Sequence, residues 1–367
     1  MVRARPCCKK ECKIHRCAGH RQTWKYEGEP LFDKRRLIIK SEHWKAFEQF
    51  IDHHQSFLVT THINPDGDAI GSQIALGRYL KQLDKTVYLM NCDPTPNYFS
   101  FLEADDNIVR YHSPTHRELV SALDACIVVD ISDWKRLGDL GKTIRKFGIP
   151  VGCIDHHIPA DLHADVRLSD QTASSTGELL YDFLTRVDSD FDQIMLNALY
   201  TCLLTDTGSF RFANTTARTH EVVAELLRRG AAFRTVYEQV YESYSPNRTK
   251  LTGHLLVNMQ FNADGQLAWF VLSQELLNQY NVETWEIEGL SELPRSIADV
   301  QISMMFTELS DDRTKVSFRS RGNVAVHQLA SQFGGGGHPF AAGALIDHSP
   351  DVIIPKVVQA AKALLSR

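Results

Sequence analysis

Apolar residues recur at helical spacing at Trp44, Phe47, Phe50 and Ile51, and the run Phe57-Leu58-Val59-Thr60-Thr61 that follows reads as a buried strand. A polar loop from Asn64 to Gly67 then leads into an apolar helix through Ile74, Leu76, Leu80 and Leu83. Further strands are expected at Thr86–Asn91, Ala125–Ile131 and Pro150–Ile154, with helical stretches near 114–122 and 139–147. Strands alternating with helices predict an α/β domain built on a mostly parallel, helix-covered sheet. Residues 173–187, 191–205 and 219–229 continue it as helices. From 232 to 250 the chain is polar and aromatic without a period, and this stretch is expected to link two domains. Beyond it the pattern predicts strands at 253–263, 266–273 and 313–321, and helices near 274–280, 295–309 and 324–333. Asn262-Ala263-Asp264-Gly265 has the chemistry of a hairpin turn. The expected organisation is thus a domain over 37–231, a linker over 232–250 and a smaller α/β domain over 251–367.

Composition sharpens this picture in two ways. With 367 residues, 43% apolar and 23% charged, the chain suits two globular domains and excludes collagen-like and coiled-coil classes. No window approaches the ~18 consecutive apolar residues of a membrane span, so a cytoplasmic protein is expected. Charge is uneven: residues 1–40 hold 12 Lys and Arg against 4 Asp and Glu, which leaves a net −13 on the other 327 residues. Cys7, Cys8, Cys12 and Cys17 crowd into the same start, where His15 and His20 add possible zinc donors at spacings that match no common zinc pattern. Residues 1–36 lack periodic apolar positions and read as a disordered basic tail. Cys92, Cys126, Cys153 and Cys202 stand singly in apolar runs, as reduced core thiols do.

The polar clusters fall where apolar strands end. His62-Ile63-Asn64-Pro65-Asp66-Gly67-Asp68 follows the first strand, Asp130 follows 126–129, and Asp155-His156-His157 follows 150–154. In an open α/β sheet that rim is where ligands bind. The helix at 191–205 delivers Asp206-Thr207-Gly208. Another Asp-His-His, at 52–54, ends an amphipathic helix and reads as a solvated terminus with imidazoles at the negative end of the dipole. His62, Asp66, Asp68, Asp130, His156 and Asp206 supply carboxylates and imidazoles without a thiolate, a set suited to divalent ions such as Mn²⁺, and six such side chains suggest two ions. Carboxylates packed together repel, and cations relieve this.

The ordered series from Thr61 to Ser72, then Val129-Asp130 with Asp133 and Arg136-Leu137-Gly138, then Asp155-His156-His157, Ser175-Thr176-Gly177-Glu178 and Thr205-Asp206-Thr207-Gly208-Ser209-Phe210, resembles the DHH phosphoesterase superfamily. Phe318-Arg319-Ser320-Arg321 and Gly334-Gly335-Gly336-Gly337-His338-Pro339-Phe340-Ala341-Ala342-Gly343 resemble its DHH-associated C-terminal domain. Within the superfamily the chain is most similar to the bacterial nanoRNase and pAp phosphatase group, and the likeness spans about 45–347. The resemblance implies an active site in the cleft between the domains. It places His62, Asp66 and Asp130 on one cation and Asp68, Asp130, His156 and Asp206 on the other, with Asp130 bridging. It makes Asp155 a group that orients a ligand imidazole and turns His157 to the substrate phosphate. Ile158-Pro159 departs from the family pattern, where polar residues are expected.

In the second domain Arg319 and Arg321 alternate with Phe318 and Ser320, so two guanidiniums are expected on one strand face, suited to a phosphate. The four glycines suggest a backbone brought close to an anion, and the resemblance makes Gly336, Gly337, His338 and the arginine pair a clamp for the 5′ end or base of a short nucleotide. An acidic chain with a confined cleft disfavours long duplex nucleic acid. The expected activity is metal-dependent hydrolysis of short RNA and of 3′-phosphoadenosine 5′-phosphate, with cyclic di-AMP or linear pApA as the rival substrate. A non-catalytic nucleotide-binding module is the rival from another class. Whether the chain forms a homodimer is left open.

Overall fold

The computed structural model describes residues 39–366, apart from 104–106, 132, 288, 310–311, 322–323 and the side chain of His338. The tail expected over 1–36 lies outside the described residues. The first layer begins with α1 (Ser41–His53), β1 (Ser56–Thr60), α2 (Gly67–Gln82), β2 (Thr86–Asn91) and β3 (Val109–Arg110). It continues through α3 (Ser113–Ser121), β4 (Ala125–Val129), α4 (Gly138–Phe147), β5 (Val151–Asp155) and β6 (Val166–Ser169). These strands form one parallel sheet in the order β3-β2-β1-β4-β5-β6. Strand order therefore reverses between β1 and β4, and a crevice opens at the carboxyl ends of those two neighbours.

Period-2 alternation splits the sheet between two cores. Phe57 and Val59 of β1 and Ala125, Ile127 and Val129 of β4 face one, together with α1 and α2. Leu58, Cys126 and Val128 face the other, with α3 and α4 residues Val120, Leu140 and Ile144. Burying each such side chain contributes roughly 1.5–3 kcal/mol. On the first face α5 (Thr176–Arg186) and α6 (Gln193–Asp206) pack against α2, followed by α7 (Ala217–Arg228). Backbones come close there: an added Cβ at Gly71 of α2 would stand 2.5 Å from both the Ala198 carbonyl oxygen and Cys202 Sγ of α6.

Residues 232–250, expected as an aperiodic linker, instead hold α8 (Phe233–Tyr241) and the start of α9 (Pro246–Val257). Ser245 caps α9, its Oγ accepting from the Arg248 N–H at 3.0 Å, and Pro246 takes the first helical position. The strand expected over 253–263 shrinks accordingly to β7 (Gln260–Phe261), which pairs with β8 (Leu267–Leu272) across the foreseen turn; there Gly265 adopts φ +68° and donates to the Asn262 carbonyl at 3.1 Å. After α10 (Gln274–Tyr280) come short 3-10 segments at Thr284–Ile287 and Leu290–Ser296.

The helix expected near 295–309 is strand β9 (Ile302–Glu308). It lies between β8 and β10 (Thr314–Ser320), sending Ile302, Met304 and Phe306 into one core and Met305 into another. A strand buried on both faces shows no polar alternation, and that is why its pattern misleads. The helix expected over 324–333 is only α11 (His327–Ser331), followed by β11 (Gly336–His338), β12 (Ala341–Ile346) and α12 (Pro350–Leu365). The second sheet runs β11-β12-β10-β9-β8-β7, antiparallel except for β8 beside β9. Ile353, Val357, Val358 and Ala361 of α12 cover one face, and Leu251 and Leu255 of α9 with Leu277 of α10 cover the other. Among the described residues no helix is long and apolar enough to cross a membrane.

Candidate metal centre and the adjoining cavity

Four chain segments converge on the crevice between β1 and β4. His62 follows β1, and its Nδ1 lies 2.9 Å from the Ile63 carbonyl, which turns Nε2 inward. Asp66 caps α2, its Oδ1 accepting from the Asp68 and Ala69 N–H groups at 3.1 Å each, while its Oδ2 stands 3.9 Å from His62 Nε2. Asp68, in the first turn of α2, is held by the helix packed beside it: Thr176 and Gly177 at the start of α5 donate their N–H groups to its two oxygens at 2.7 and 2.9 Å. Asp130 follows β4 in the left-handed region, with φ +59°, a strained setting for a side chain that tertiary contacts must enforce.

That conformation places Asp130 between two groups. Its Oδ2 lies 3.4 Å from His62 Nε2, and its Oδ1 lies 3.7 Å from His156 Nε2 while accepting from Thr176 Oγ1 at 2.9 Å. His156 in turn has Nδ1 3.2 Å from the Ala173 carbonyl and Nε2 within 3.6 Å of Asp206 and 3.9 Å of Asp68. His62, Asp66 and Asp130 therefore make one set of converging donors, and Asp68, His156 and Asp206 another, with donor atoms of each set within 4.8 Å of one another. A divalent cation sits ~2.0–2.2 Å from nitrogen and oxygen ligands, so it spans donors up to ~4.4 Å apart. Apart from the 3.4 Å between His62 and Asp130, which still allows a hydrogen bond, the donor separations are too long for hydrogen bonds and of the length such an ion bridges. Both imidazoles also turn Nδ1 to a carbonyl, which fixes the tautomer whose Nε2 binds a metal. The residues fit divalent cations.

The electrostatics agree. Burial and the neighbouring carboxylates of Asp130 and Asp206 push Asp68 well above the ordinary carboxylate range, and burial with Asp130 and Asp66 does the same to Asp206. Burial opposes ionisation of Asp130 too, yet its hydrogen bond to His62 and the charges of His157, His62 and His156 hold it well below that range. Burial would lower His62, but its bond to Asp130 and the charge of Asp66 raise it, so cation binding at Nε2 competes with a proton.

Asp155 is fully buried, and its Oδ1 accepts from His157, at 2.7 Å from Nδ1 and 3.1 Å from the backbone N–H. Against the cost of burial this bond and the Asp130 charge raise His157 to about 9. The Asp-His-His at 52–54 closes α1, with the His53 and His54 Nδ1 atoms 2.5 and 2.7 Å from carbonyls one turn back.

A cavity of about 450 Å³ opens from Asp66 and Asp206 and reaches Arg319 of β10 on the second sheet. Arg319 donates to Glu292, which also accepts from Arg295 at 2.7 Å. Arg321 departs from the expected clamp: it lies one residue beyond β10, exposed, with Nη1 donating to the Ala298 carbonyl at 2.5 Å, and it does not line this cavity. Gly336 and Gly337 do not line it either. They pair with Gly343 and Ala342 of β12, and a Cβ at Gly337, where φ is +135°, would stand 2.7 Å from the Ala341 carbonyl. Close strand packing thus accounts for Gly337 without an anion, whereas a Cβ at Gly336 would meet nothing within 4 Å. His338 pairs with Ala341 through its backbone.

Three participants escape a reading of motifs. Thr176 and Gly177 orient Asp68 and Asp130, and Asn214 Nδ2 joins Ser174, donating to its carbonyl at 2.8 Å, to Asp206 Oδ2 at 3.3 Å. The signal lay in Ser175-Thr176-Gly177-Glu178, where Ser175 Oγ caps α5 by accepting from Glu178 N–H at 3.1 Å. Tyr241 and Tyr244 of the cavity's aromatic wall come from the stretch expected as a linker, beside Tyr98, Phe99, Phe212 and Trp285 from elsewhere in the chain.

Comparison with known proteins decides the family. Residues 56–205 match the DHH family, N-terminal domain, and residues 266–367 match the DHHA1 domain, together more than half of the chain. The chain belongs to the DHH family. A bifunctional oligoribonuclease and PAP phosphatase of Thermus thermophilus is 29% identical over 310 residues, 84% of this chain and 90% of the relative. Its namesake in Bacillus subtilis is 29% identical over 300 residues, 80% and 90% of the two chains. Among solved structures, an exopolyphosphatase-related protein from Bacteroides fragilis superimposes with a TM-score of 0.82 at 26% identity over 90% of this DHH chain and 97% of that one. RecJ from Thermus thermophilus shares the fold, with a TM-score of 0.52 at 13% identity over 89% of this chain and 54% of its own.

Proposed function

We propose that this DHH-family hydrolase uses two divalent cations, Mn²⁺ being the best fit, to cleave short oligoribonucleotides to mononucleotides and 3′-phosphoadenosine 5′-phosphate to AMP. The observation that carries this reading is the pair of donor sets joined by Asp130, a member of one and 3.7 Å from His156 of the other, at the mouth of a cavity sized for one nucleotide. Relatives named for these two activities, alike over most of their length, support the substrate class. In the reaction a water oxygen bonds to phosphorus, the P–O3′ bond breaks, and the departing oxygen takes a proton. When bound, the cations supply Lewis acidity that neutralises phosphoryl oxygens and eases ionisation of water.

The chain's own residues supply the rest. Asp130 offers one oxygen to each donor set and so fixes their spacing. Thr176, Gly177 and Asn214 keep the carboxylates aimed. Asp155 engages Nδ1 of His157, so Nε2 is the atom that meets a phosphate oxygen and carries a proton to it near neutral pH. Arg319 faces the same cavity and pairs with a substrate phosphate.

The test sets 5′-phosphorylated diadenylate, pAp and cyclic di-AMP side by side with Mn²⁺ and with EDTA. AMP released from the first two, only with metal and with the cyclic compound spared, is the expected result. Preferential cleavage of cyclic di-AMP would replace the substrate assignment, and no cleavage of any would sink the hydrolase.

A further inference from the structure

Trp285 is an exposed aromatic that faces a cavity. It is 45% exposed on the 3-10 segment Thr284–Ile287, belongs to no hydrophobic core, and among the described residues makes no side-chain hydrogen bond or ring contact. A tryptophan left this open forgoes a large burial gain, so its place calls for a partner. It lines the cavity that contains Asp66 and Asp206. Tyr244, 42% exposed between α8 and α9, lines the same cavity and has the Arg248 guanidinium 3.4 Å from its ring centroid. A guanidinium on one face of a ring sets up a stack that a flat ligand can extend.

The polar groups next to these rings in sequence are already engaged. Ser245 Oγ donates to Glu286 Oε1 at 2.6 Å, Glu286 Oε2 accepts from the Glu283 N–H at 2.9 Å, and Arg248 Nε donates to the Glu286 carbonyl at 2.5 Å. They are not placed to read the edge of a base. A flat aromatic face receives a nucleobase chiefly by stacking, which every base can supply.

We infer that Trp285 and Tyr244 form a stacking platform for the nucleobase of the nucleotide whose phosphate lies at Asp66 and Asp206. The inference rests on the phosphoesterase reading and adds to it the residues that hold the base and the lack of base preference. Tyr244, from the region expected only to link two domains, thus becomes part of the substrate site.

Calorimetric titration of the full chain in Mn²⁺ tests this with AMP and ribose 5-phosphate as probes, on wild type, Trp285→Ala, Trp285→Phe and Tyr244→Ala. Wild type should bind AMP roughly 5–100-fold more tightly than ribose 5-phosphate, the range that base stacking on an aromatic supplies. GMP and UMP should fall within a few-fold of AMP. Trp285→Ala should remove most of the AMP advantage and leave ribose 5-phosphate binding unchanged, Trp285→Phe should restore most of it, and Tyr244→Ala should act in the same direction. Equal affinities for the two probes in wild type, equal weakening of both in Trp285→Ala, or no binding of either would overturn the platform. Turnover of pAp by the same proteins keeps the two readings apart. If pAp is cleaved and the AMP advantage survives in Trp285→Ala, only the platform fails; if pAp is not cleaved, the hydrolase reading fails while the probe comparison still judges the platform.

Discussion

Asp130 carries the most chemistry of any single side chain, because its left-handed backbone, φ +59°, lets one carboxylate face His62 and His156 at once. Asp130→Ala removes an oxygen from both donor sets, so pAp turnover in Mn²⁺ should fall by on the order of 10³-fold or more, the several kcal/mol that a Lewis-acid site supplies. A rate within tenfold of wild type would show that the two sets do not work through Asp130. His157 gives a second test through stability. Its folded pKa of about 9 lies above the ordinary ~6.5, so the pair with Asp155 stabilises the fold fully below pH 6.5, and that stabilisation is lost as pH rises through 9. In EDTA, wild type should therefore exceed His157→Gln in urea-unfolding free energy by at most ~3 kcal/mol at pH 6, with the gap closing by pH 9.5. A gap that does not change with pH would contradict the pairing. At this scale the sequence is eloquent about ligands, since His62, Asp66, Asp68, Asp130, His156 and Asp206 all stand at element ends, where local patterning already places them. It is silent about Asn214, whose role arises only because its loop folds back over Ser174 and Asp206.

Elements were legible where one face is polar and obscure where both are buried. β1, β2, β4 and β5 follow the expected strands closely, whereas β9 reads as a helix because Met304 and Met305 are buried on opposite faces and neither carries the β-branched signature of a strand. α8 escapes detection because Phe233 and Tyr237 add apolar positions to the exposed side that Arg234 and Glu238 share, away from the buried Val236 and Val240, which blurs the amphipathic contrast. The packing of α2 on α6 depends on the missing side chain at Gly71. Gly71→Ala forces a Cβ to within 2.5 Å of the Ala198 carbonyl and Cys202 Sγ, so the helices must separate. The cost should be about 1–3 kcal/mol in denaturant unfolding, as for other overpacked cores. Asp68 lies one turn away on α2, so Mn²⁺ affinity should fall as well. Unchanged stability and affinity would show that the contact can relax freely.

At the scale of the molecule, the sequence pattern announces a parallel sheet but not the order β3-β2-β1-β4-β5-β6, and it is this order that puts the ends of β1 and β4 side by side and creates the crevice. Period-2 reasoning likewise places Arg319 and Arg321 on one face, yet β10 ends at Ser320, and Arg321, whose N–H still bonds the Gln301 carbonyl at 2.9 Å, sends its guanidinium to a backbone carbonyl. Arg319 lines the cavity with its guanidinium held by Glu292, while Arg321 is spent on the Ala298 carbonyl outside it. The two arginines should consequently separate in kinetics. Arg319→Ala removes a charge-assisted contact to substrate worth ~1.5–3 kcal/mol, so KM for pAp should rise roughly 10–150-fold with little change in kcat. Arg321→Ala should leave both parameters within twofold of wild type, because it deletes a surface bond that the substrate does not use. Steady-state measurement on the two variants decides between this arrangement and a symmetric clamp: equal rises in KM would mean that the second sheet turns further toward the metal centre in the complex, bringing Arg321 to the phosphate, and no rise in either would remove β10 from substrate binding.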